Sequence, residues 1–392
     1  MRNRNRHLSA RTSAQTDDPS KLSRRRSAVC GLLRMLTVVA MLSLAFESGI
    51  ANEMERIRVS DDGHSFIDSC SGRRFVPWGF NYDHDARGRL LEDYWTEEWK
   101  SVVSDFREMK QLGANVVRIH LQFGRFMNAA DRPNEKSLNQ LGRLLKLAEQ
   151  TGLYLDLTGL GCYHKQDVPA WYDALDETGR WRAQAHFWTA VADRSAESPA
   201  VFCYDLMNEP VVPGGKKKRS DWLGPPFAGN YFVQFITLQR GHRSRPEIAR
   251  AWIHRLATAI RAKDRRHLIT LGLVPWSLDR PGLTSGFVPK QVIGDLDFIS
   301  VHIYPRSGHV GDALKTVKGF SVGKPVLIEE VFPLKCSLSE LETFINRSRL
   351  TAVGWIGFYW GRTPRDYRKS SGLRDALMAE WLEFFQKHAH LR

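Results

Sequence analysis

Cysteine is scarce in this chain and never closely paired: Cys30, Cys70, Cys162, Cys203 and Cys336 form no CxxC motif. That spacing excludes the usual zinc and dithiol signatures, and no metal or cofactor is expected. Cys203, inside an apolar run, reads as a core thiol. No glycine-rich phosphate fingerprint opens a candidate helix, which argues against dinucleotide binding. No basic helix or aromatic-basic alternation of a nucleic-acid module is present, so no nucleic-acid partner is expected. The apolar run Met35–Phe46 is twelve residues, too short to span a bilayer.

What is present begins with charge. The net charge is +14, and residues 1–51 hold nine Arg or Lys against Asp17, Asp18 and Glu47, which leaves +8 for the other 341 residues. A basic stretch before Met35–Phe46, with small residues at Gly49-Ile50-Ala51, reads as a targeting segment over 1–51. Export to the periplasm or medium follows, with no stable membrane insertion unless the leader stays uncleaved. Residues 52–392 are then one catalytic domain, expected as a monomer.

From about residue 66 apolar strands alternate with amphipathic helices. Strands are expected at Phe75–Asn81, Asn115–Leu121, Leu153–Leu157, Ala200–Met207, His267–Leu273, Phe298–Tyr304, Pro325–Glu330 and Gly354–Trp360. Helices are expected at Glu97–Leu112, Ser137–Gln150, Arg182–Ala196, Pro246–Ala262, His309–Val317, Leu338–Asn346 and Leu373–His388, with Gly113 and Gly152 closing the first two. Near-continuous apolar strands indicate a sheet covered on both faces. Eight such units predict an α/β fold, a (β/α)8 TIM barrel. The connection 211–245 is abnormally long and is expected to wall the rim of the barrel.

In such a barrel the site forms at the C-terminal strand ends. Reading those ends gives Asn81, Arg118 with His120, Asp156 and Thr158, Asn208-Glu209, Trp276, His302 with Tyr304, Glu329-Glu330 and Trp360. Glu209 and Glu330 end two apolar strands about 120 residues apart. Two carboxyl groups across one cleft, with aromatic rings for sugar C–H faces, are the equipment of a glycosidase. Alternation places Val326, Ile328 and Glu330 on one strand face, with Leu327 and Glu329 on the other, so only one glutamate can face the cleft.

With Asn208-Glu209-Pro210 at the fourth strand and Glu330 at the seventh, the chain resembles the family 5 glycoside hydrolases, over roughly residues 70–385. His302-x-Tyr304, Arg118 and Trp360 also match that cellulase and mannanase family. The resemblance implies Glu209 as acid/base and Glu330, rather than Glu329, as nucleophile. Arg118 and the Tyr304 hydroxyl would keep Glu330 ionised. Asn208, His302 and Trp360 would contact the reacting sugar or its leaving oxygen, with Asn81 and Trp276 as further substrate-binding residues. The function implied is a retaining β-glycosidase on a β-linked carbohydrate, endo-acting on β-1,4-glucan or mannan; the alternative is an inactive carbohydrate-binding barrel. A metal-dependent hydrolase would need His120, Asp156, His164 and His302 to converge. Two departures stand out: Val331-Phe332 follows the nucleophile, and Thr158 replaces the third-strand histidine that members usually carry.

Overall fold

The computed structural model describes residues 54–215, 217–218, 221–280 and 283–392. The expected targeting segment over 1–51 lies outside the described residues. The eight apolar segments become eight strands: β1 (Trp78–Tyr82), β2 (Val116–Gln122), β3 (Tyr154–Gly161), β4 (Val201–Asn208), β5 (Leu268–Leu273), β6 (Ile299–His302), β7 (Val326–Glu330) and β8 (Gly354–Phe358). Each pairs in parallel with the next, and β8 closes on β1, giving a complete barrel.

The outer helices are α1 (Trp99–Gln111), α2 (Glu135–Thr151), α3 (Glu177–Ser195), α4 (Arg245–Arg261), α5 (Pro289–Val292), α6 (Val310–Gly319), α7 (Leu338–Ser348) and α8 (Leu373–Lys387). Their apolar stripes set the packing. On α2, Leu138, Leu141, Leu144, Leu145 and Ala148 are buried, and Gly152 ends the helix at φ +63°. The α3 helix starts five residues earlier than expected, because Asp176 caps it by accepting from the Gly179 amide at 2.8 Å. Between β5 and β6 the helix is a single turn, which explains why no periodic stretch announced it.

The barrel base is plugged by an unexpected element. Three short antiparallel strands, Ile57–Val59, Phe66–Asp68 and Arg74–Phe75, carry Phe66 against Phe202 and Phe298 at ring distances of 5.2 and 5.0 Å. Leu327 joins this basal cluster, whereas Val326 and Ile328 pack in the main core under the helices. Alternation therefore runs opposite to the expectation, with Leu327 and Glu329 inward. The ladder between β6 and β7 then slips: Val301 pairs with Ile328 and His302 with Glu330, leaving Glu329 as the extra residue. This bulge turns both glutamates into the barrel at different heights.

The connection 211–245 is tied to the rim. Pro210–Val211 pairs with Gln234–Phe235, the Tyr231 amide donates to the Tyr163 carbonyl at 3.0 Å, and Gln234 Nε2 donates to the Leu160 carbonyl at 2.7 Å. Trp222 in this segment is buried under Arg180, whose guanidinium lies 4.3 Å from the ring, so it packs rather than binds.

Candidate active site

A cavity of about 670 Å³ opens at the C-terminal strand ends, lined by Asn208, Glu209, Tyr304, Glu330 and Trp360 among others. Five of the nine residues expected at the site thus line it. Asn81, Arg118, His302 and Trp276 do not. The first three are fully buried beneath the cleft and act on its residues rather than on a ligand. Trp276 is half-buried and lies outside the lining.

The carboxyl pair comes first. Glu209 and Glu330 each place an oxygen within 4.8 Å of the other, with a nitrogen of His302 in the same group. Glu209 follows β4 with φ +47°, a region L side chains seldom adopt. Its amide donates to the Gly272 carbonyl at 3.0 Å, and this tie with the following Pro210 holds a conformation costing roughly 1–3 kcal/mol. Strain at a functional side chain re-aims it from strand direction toward the cleft.

Arg118 on β2 organises the floor. Its Nη1 donates to Glu330 Oε1 at 2.8 Å and to Asn81 Oδ1 at 2.9 Å; its Nη2 donates to Asp205 Oδ2 at 2.7 Å and to Asn208 Oδ1 at 3.0 Å. Burial opposes its charge, but Glu329, Asp205, Glu330 and Asp156 hold it firmly cationic. Asn81 donates to the Glu329 and Gly357 carbonyls at 2.9 Å, locking β1 to β7 and β8. Asn208 Nδ2 donates to the Phe232 carbonyl at 3.1 Å, so its amide also anchors the long connection.

His302 sits between three carboxylates. Its Nδ1 lies 3.0 Å from Glu209 Oε1 and 3.4 Å from Glu330 Oε2, and its Nε2 lies 3.4 Å from Glu329 Oε2. Burial works against the charged ring, yet Glu330, Glu209 and Glu329 raise it to about 10, so it is an imidazolium donating on both sides. The Tyr304 hydroxyl donates to Glu330 Oε2 at 2.5 Å. Arg118 and Tyr304 therefore contact Glu330 as expected, but the net effect differs. Burial pushes Glu330 above the ordinary carboxyl value, with Glu209 adding to the rise, against His302, Arg118 and Tyr304. Glu330 therefore keeps a proton more readily than a free carboxyl does.

Under the cleft lies a second acidic layer. Asp156, Asp205 and Glu329 are fully buried, with one oxygen of each within 4.8 Å of the others. Asp205 accepts from Thr158 Oγ1 at 2.8 Å and from the Gly272 amide at 2.8 Å. Both Asp156 oxygens and Glu329 Oε1 have no hydrogen-bond partner among the described residues. Burial and the charge of Glu329 raise Asp156 well above its usual value, whereas Arg118 and His302 outweigh burial and hold Glu329 at about 2. A proton kept on Asp156 is the donor that the orphan oxygens otherwise lack.

Thr158 is thus a floor residue. One imidazole at the cleft is that of His120, whose Nδ1 meets the Tyr163 hydroxyl at 2.5 Å and whose Nε2 faces Asn81 Oδ1 at 3.2 Å. Burial and Arg118 lower it well below the usual value, so it stays neutral. His164 pairs with Asp167 at 3.4 Å and does not join the lining, so the four-residue metal set does not converge. Trp360 donates to Asp83 Oδ1 at 3.1 Å and stacks on Phe358 at 5.4 Å. Asp83, His84, Phe332 and Phe358 also line the cleft and were not anticipated; only their closeness to strand ends signalled them. From the long connection, Phe227, Asn230 and Phe232 supply a wall, with Phe227 65% exposed.

The model of the cellulases (glycosyl hydrolase family 5) matches residues 81–331. Mannan endo-1,4-beta-mannosidase A of Podospora anserina is 27% identical over 223 residues, covering 49% of this chain and 50% of that protein, so the chain spans about half the length of the curated relative it matches. An exo-beta-1,4-mannosidase from Opitutaceae bacterium strain TAV5 superposes with TM-score 0.63 at 18% identity, over 85% of this chain and 62% of that one. The beta-mannanase of the blue mussel Mytilus edulis gives TM-score 0.56 at 16% identity, over 86% and 97%. At such identities the superpositions speak for the barrel alone, while the family match spans both glutamates. The chain belongs to glycosyl hydrolase family 5.

Proposed function

We propose that this protein is a retaining β-glycosidase acting on a β-1,4-linked mannan, with Glu330 as nucleophile and Glu209 as acid/base. The observation that carries this is the approach of the two carboxyl groups, within 4.8 Å at their nearer oxygens. Retention needs about 5–5.5 Å between them; inversion needs roughly 6.5–9.5 Å to admit a water. Glu330 attacks the anomeric carbon as Glu209 protonates the departing oxygen. Water then opens the glycosyl-enzyme, giving its proton to Glu209. His302 donates to Glu209 and aligns it, while Arg118 and Tyr304 hold the nucleophile. The presence of both carboxyl groups argues against an inactive carbohydrate-binding barrel. The mannan assignment is supported by the names of the relatives above, the endo mode by a cleft walled but not sealed by residues 225–233.

The test is hydrolysis of mannan, glucan and xylan, with the first-formed anomer followed by proton NMR. A β-anomer from mannan is expected. An α-anomer would sink the retaining mechanism, and turnover of glucan or xylan alone would sink the substrate. Export rests on the basic and apolar sequence before residue 52 and is tested by sequencing the N-terminus of the secreted protein. Among the described residues, no helix is long and apolar enough to cross a membrane. A monomer is the expected elution state in size-exclusion chromatography.

A further inference from the structure

Beside the catalytic cleft a second cavity of about 420 Å³ opens, and Tyr304, which donates to Glu330, lines both. Its character is different. Arg280, Arg306 and Lys315 line it, and among the described residues none of the three has a carboxylate oxygen within 4.0 Å, although Arg306 and Lys315 lie near enough to Asp312 to favour its ionised form; Arg280 reaches only Thr316 Oγ1, at 3.5 Å. The single acid of the lining, Asp312, is occupied by His309 Nδ1 at 3.0 Å. The lining is therefore donor-rich, acceptor-poor and net positive.

A neutral sugar needs acceptors as well as donors, because each hydroxyl does both. An oxyanion only accepts, and guanidinium and ammonium groups match it with charge-assisted bonds. The main cleft holds Asp83, Glu209 and Glu330, but it also displays Arg87 and Arg374, neither of which has an ion-pair partner among the described residues. At this rim part of the positive excess of the chain faces the cleft.

We propose that the Arg280–Arg306–Lys315 cavity is a subsite for an acidic substituent, a carboxylate or a sulfate ester, carried by the polysaccharide that enters the cleft. This rests on the glycosidase reading, because the continuity through Tyr304 places the charge next to the reacting sugar. The preferred substrate is then a β-linked polysaccharide bearing acidic groups rather than a plain mannan.

The experiment compares one β-1,4-mannan in three forms: unmodified, oxidised to carboxylate at C6, and sulfated. Hydrolysis is read as kcat/KM, and binding separately by affinity electrophoresis in gels containing each polymer, which needs no turnover. The intact protein should be retarded most by an acidic form, and the gain should vanish near 0.5 M salt, where the Debye length is only about 4 Å. Whichever acidic form gains more identifies the group. The double change Arg306→Gln with Lys315→Gln should reduce the acidic-over-neutral ratio by about 2- to 5-fold per charge removed. Equal charge removed from the outer helices, Lys100→Gln with Lys136→Gln, should leave the ratio unchanged. Equal retardation by all three polymers, or an equal loss in both double variants, would overturn the subsite. Hydrolysis of none of them, with selective retardation intact, would instead remove the glycosidase reading and leave the anion site standing.

Discussion

Replacing Glu329 by glutamine removes one negative charge from beneath the cleft while keeping the shape of the side chain. In the folded protein the carboxyl is held at about 2, against an ordinary 4.5, because Arg118 at 3.5 Å and His302 at 3.4 Å outweigh its burial. At about 1.4 kcal/mol per tenfold change in proton affinity, that depression corresponds to roughly 3 kcal/mol of native-state stability. Asp156 limits the loss. Its carboxyl is raised by burial and then by the charge of Glu329, and Arg118 pulls the other way. Once Glu329 is neutral, Asp156 ionises more easily and takes over part of the pairing, so the expected net cost is about 1–3 kcal/mol. Urea unfolding across pH reads this directly. A carboxyl lower in the folded than in the unfolded state stabilises fully above 4.5, and the contribution fades as pH falls toward 2. The gap between parent and variant should therefore be complete at neutral pH and close in acid. A gap of constant size, or none at neutral pH, would refute the reasoning.

The remaining predictions address the chemistry and the surroundings. Glu330→Gln and Glu209→Gln should each lower kcat by at least about 10³-fold, whereas Glu329→Gln should retain turnover. Azide should rescue Glu330→Ala as an α-glycosyl azide and fail with Glu329→Ala; the reverse pattern would move the nucleophile. Glu92 is raised to about 7 by burial, against the Gln122 amide that donates to it, and its Oε2 has no partner among the described residues. A value raised by folding favours the protonated form, so that stability is present below 4.5 and lost as pH rises through 7. Glu92→Gln should therefore stabilise at pH 8 by up to about 3 kcal/mol and leave unfolding at pH 4 unchanged. Phe227→Ala should raise KM for polysaccharide about 3- to 10-fold by removing a stacking surface, with thermal stability unmoved because the ring is exposed.

The barrel was legible because strands covered on both faces must be apolar throughout. Val116–Leu121, Val201–Met207 and Val326–Ile328 could be recognised without knowing their partners. The basal sheet was not, since three strands of two or three residues carry too little periodicity to separate from loop. Glu209 and Glu330 were legible because an acidic residue ending an apolar strand is conspicuous. The height of each polar group was not. Sequence gives strand ends, but a barrel interior is layered, so Asn81, Arg118 and His302 were expected in the cleft and lie beneath it. The Glu329/Glu330 faces failed for a sharper reason: strict alternation assumes an unbroken ladder, and the slip opposite His302 inserts one residue. Nothing in Val326-Leu327-Ile328-Glu329-Glu330 announces a bulge, which depends on the neighbouring strand.

The layered floor also determines the outer field. Among the described residues, the buried charged side chains include Asp68, Asp83, Asp85, Asp156, Asp205, Asp264, Glu329 and Glu330, against only Arg118 and Arg180 among the cations. This buried set carries a formal −6, so the +8 of residues 52–392 leaves +14 on everything else. These carboxylates are enclosed, whereas Arg87, Arg280, Arg306, Lys315 and Arg374 are displayed. Asp205, Glu329 and Glu330 are committed to Arg118 and His302, and among the described residues no carboxylate oxygen lies within 4.0 Å of Arg87, Arg280, Arg306, Lys315 or Arg374 at the rim. The approach of a polyanionic chain would then be steered to the cleft by the same partition that orders its floor, and salt should slow that approach before it touches the chemical step.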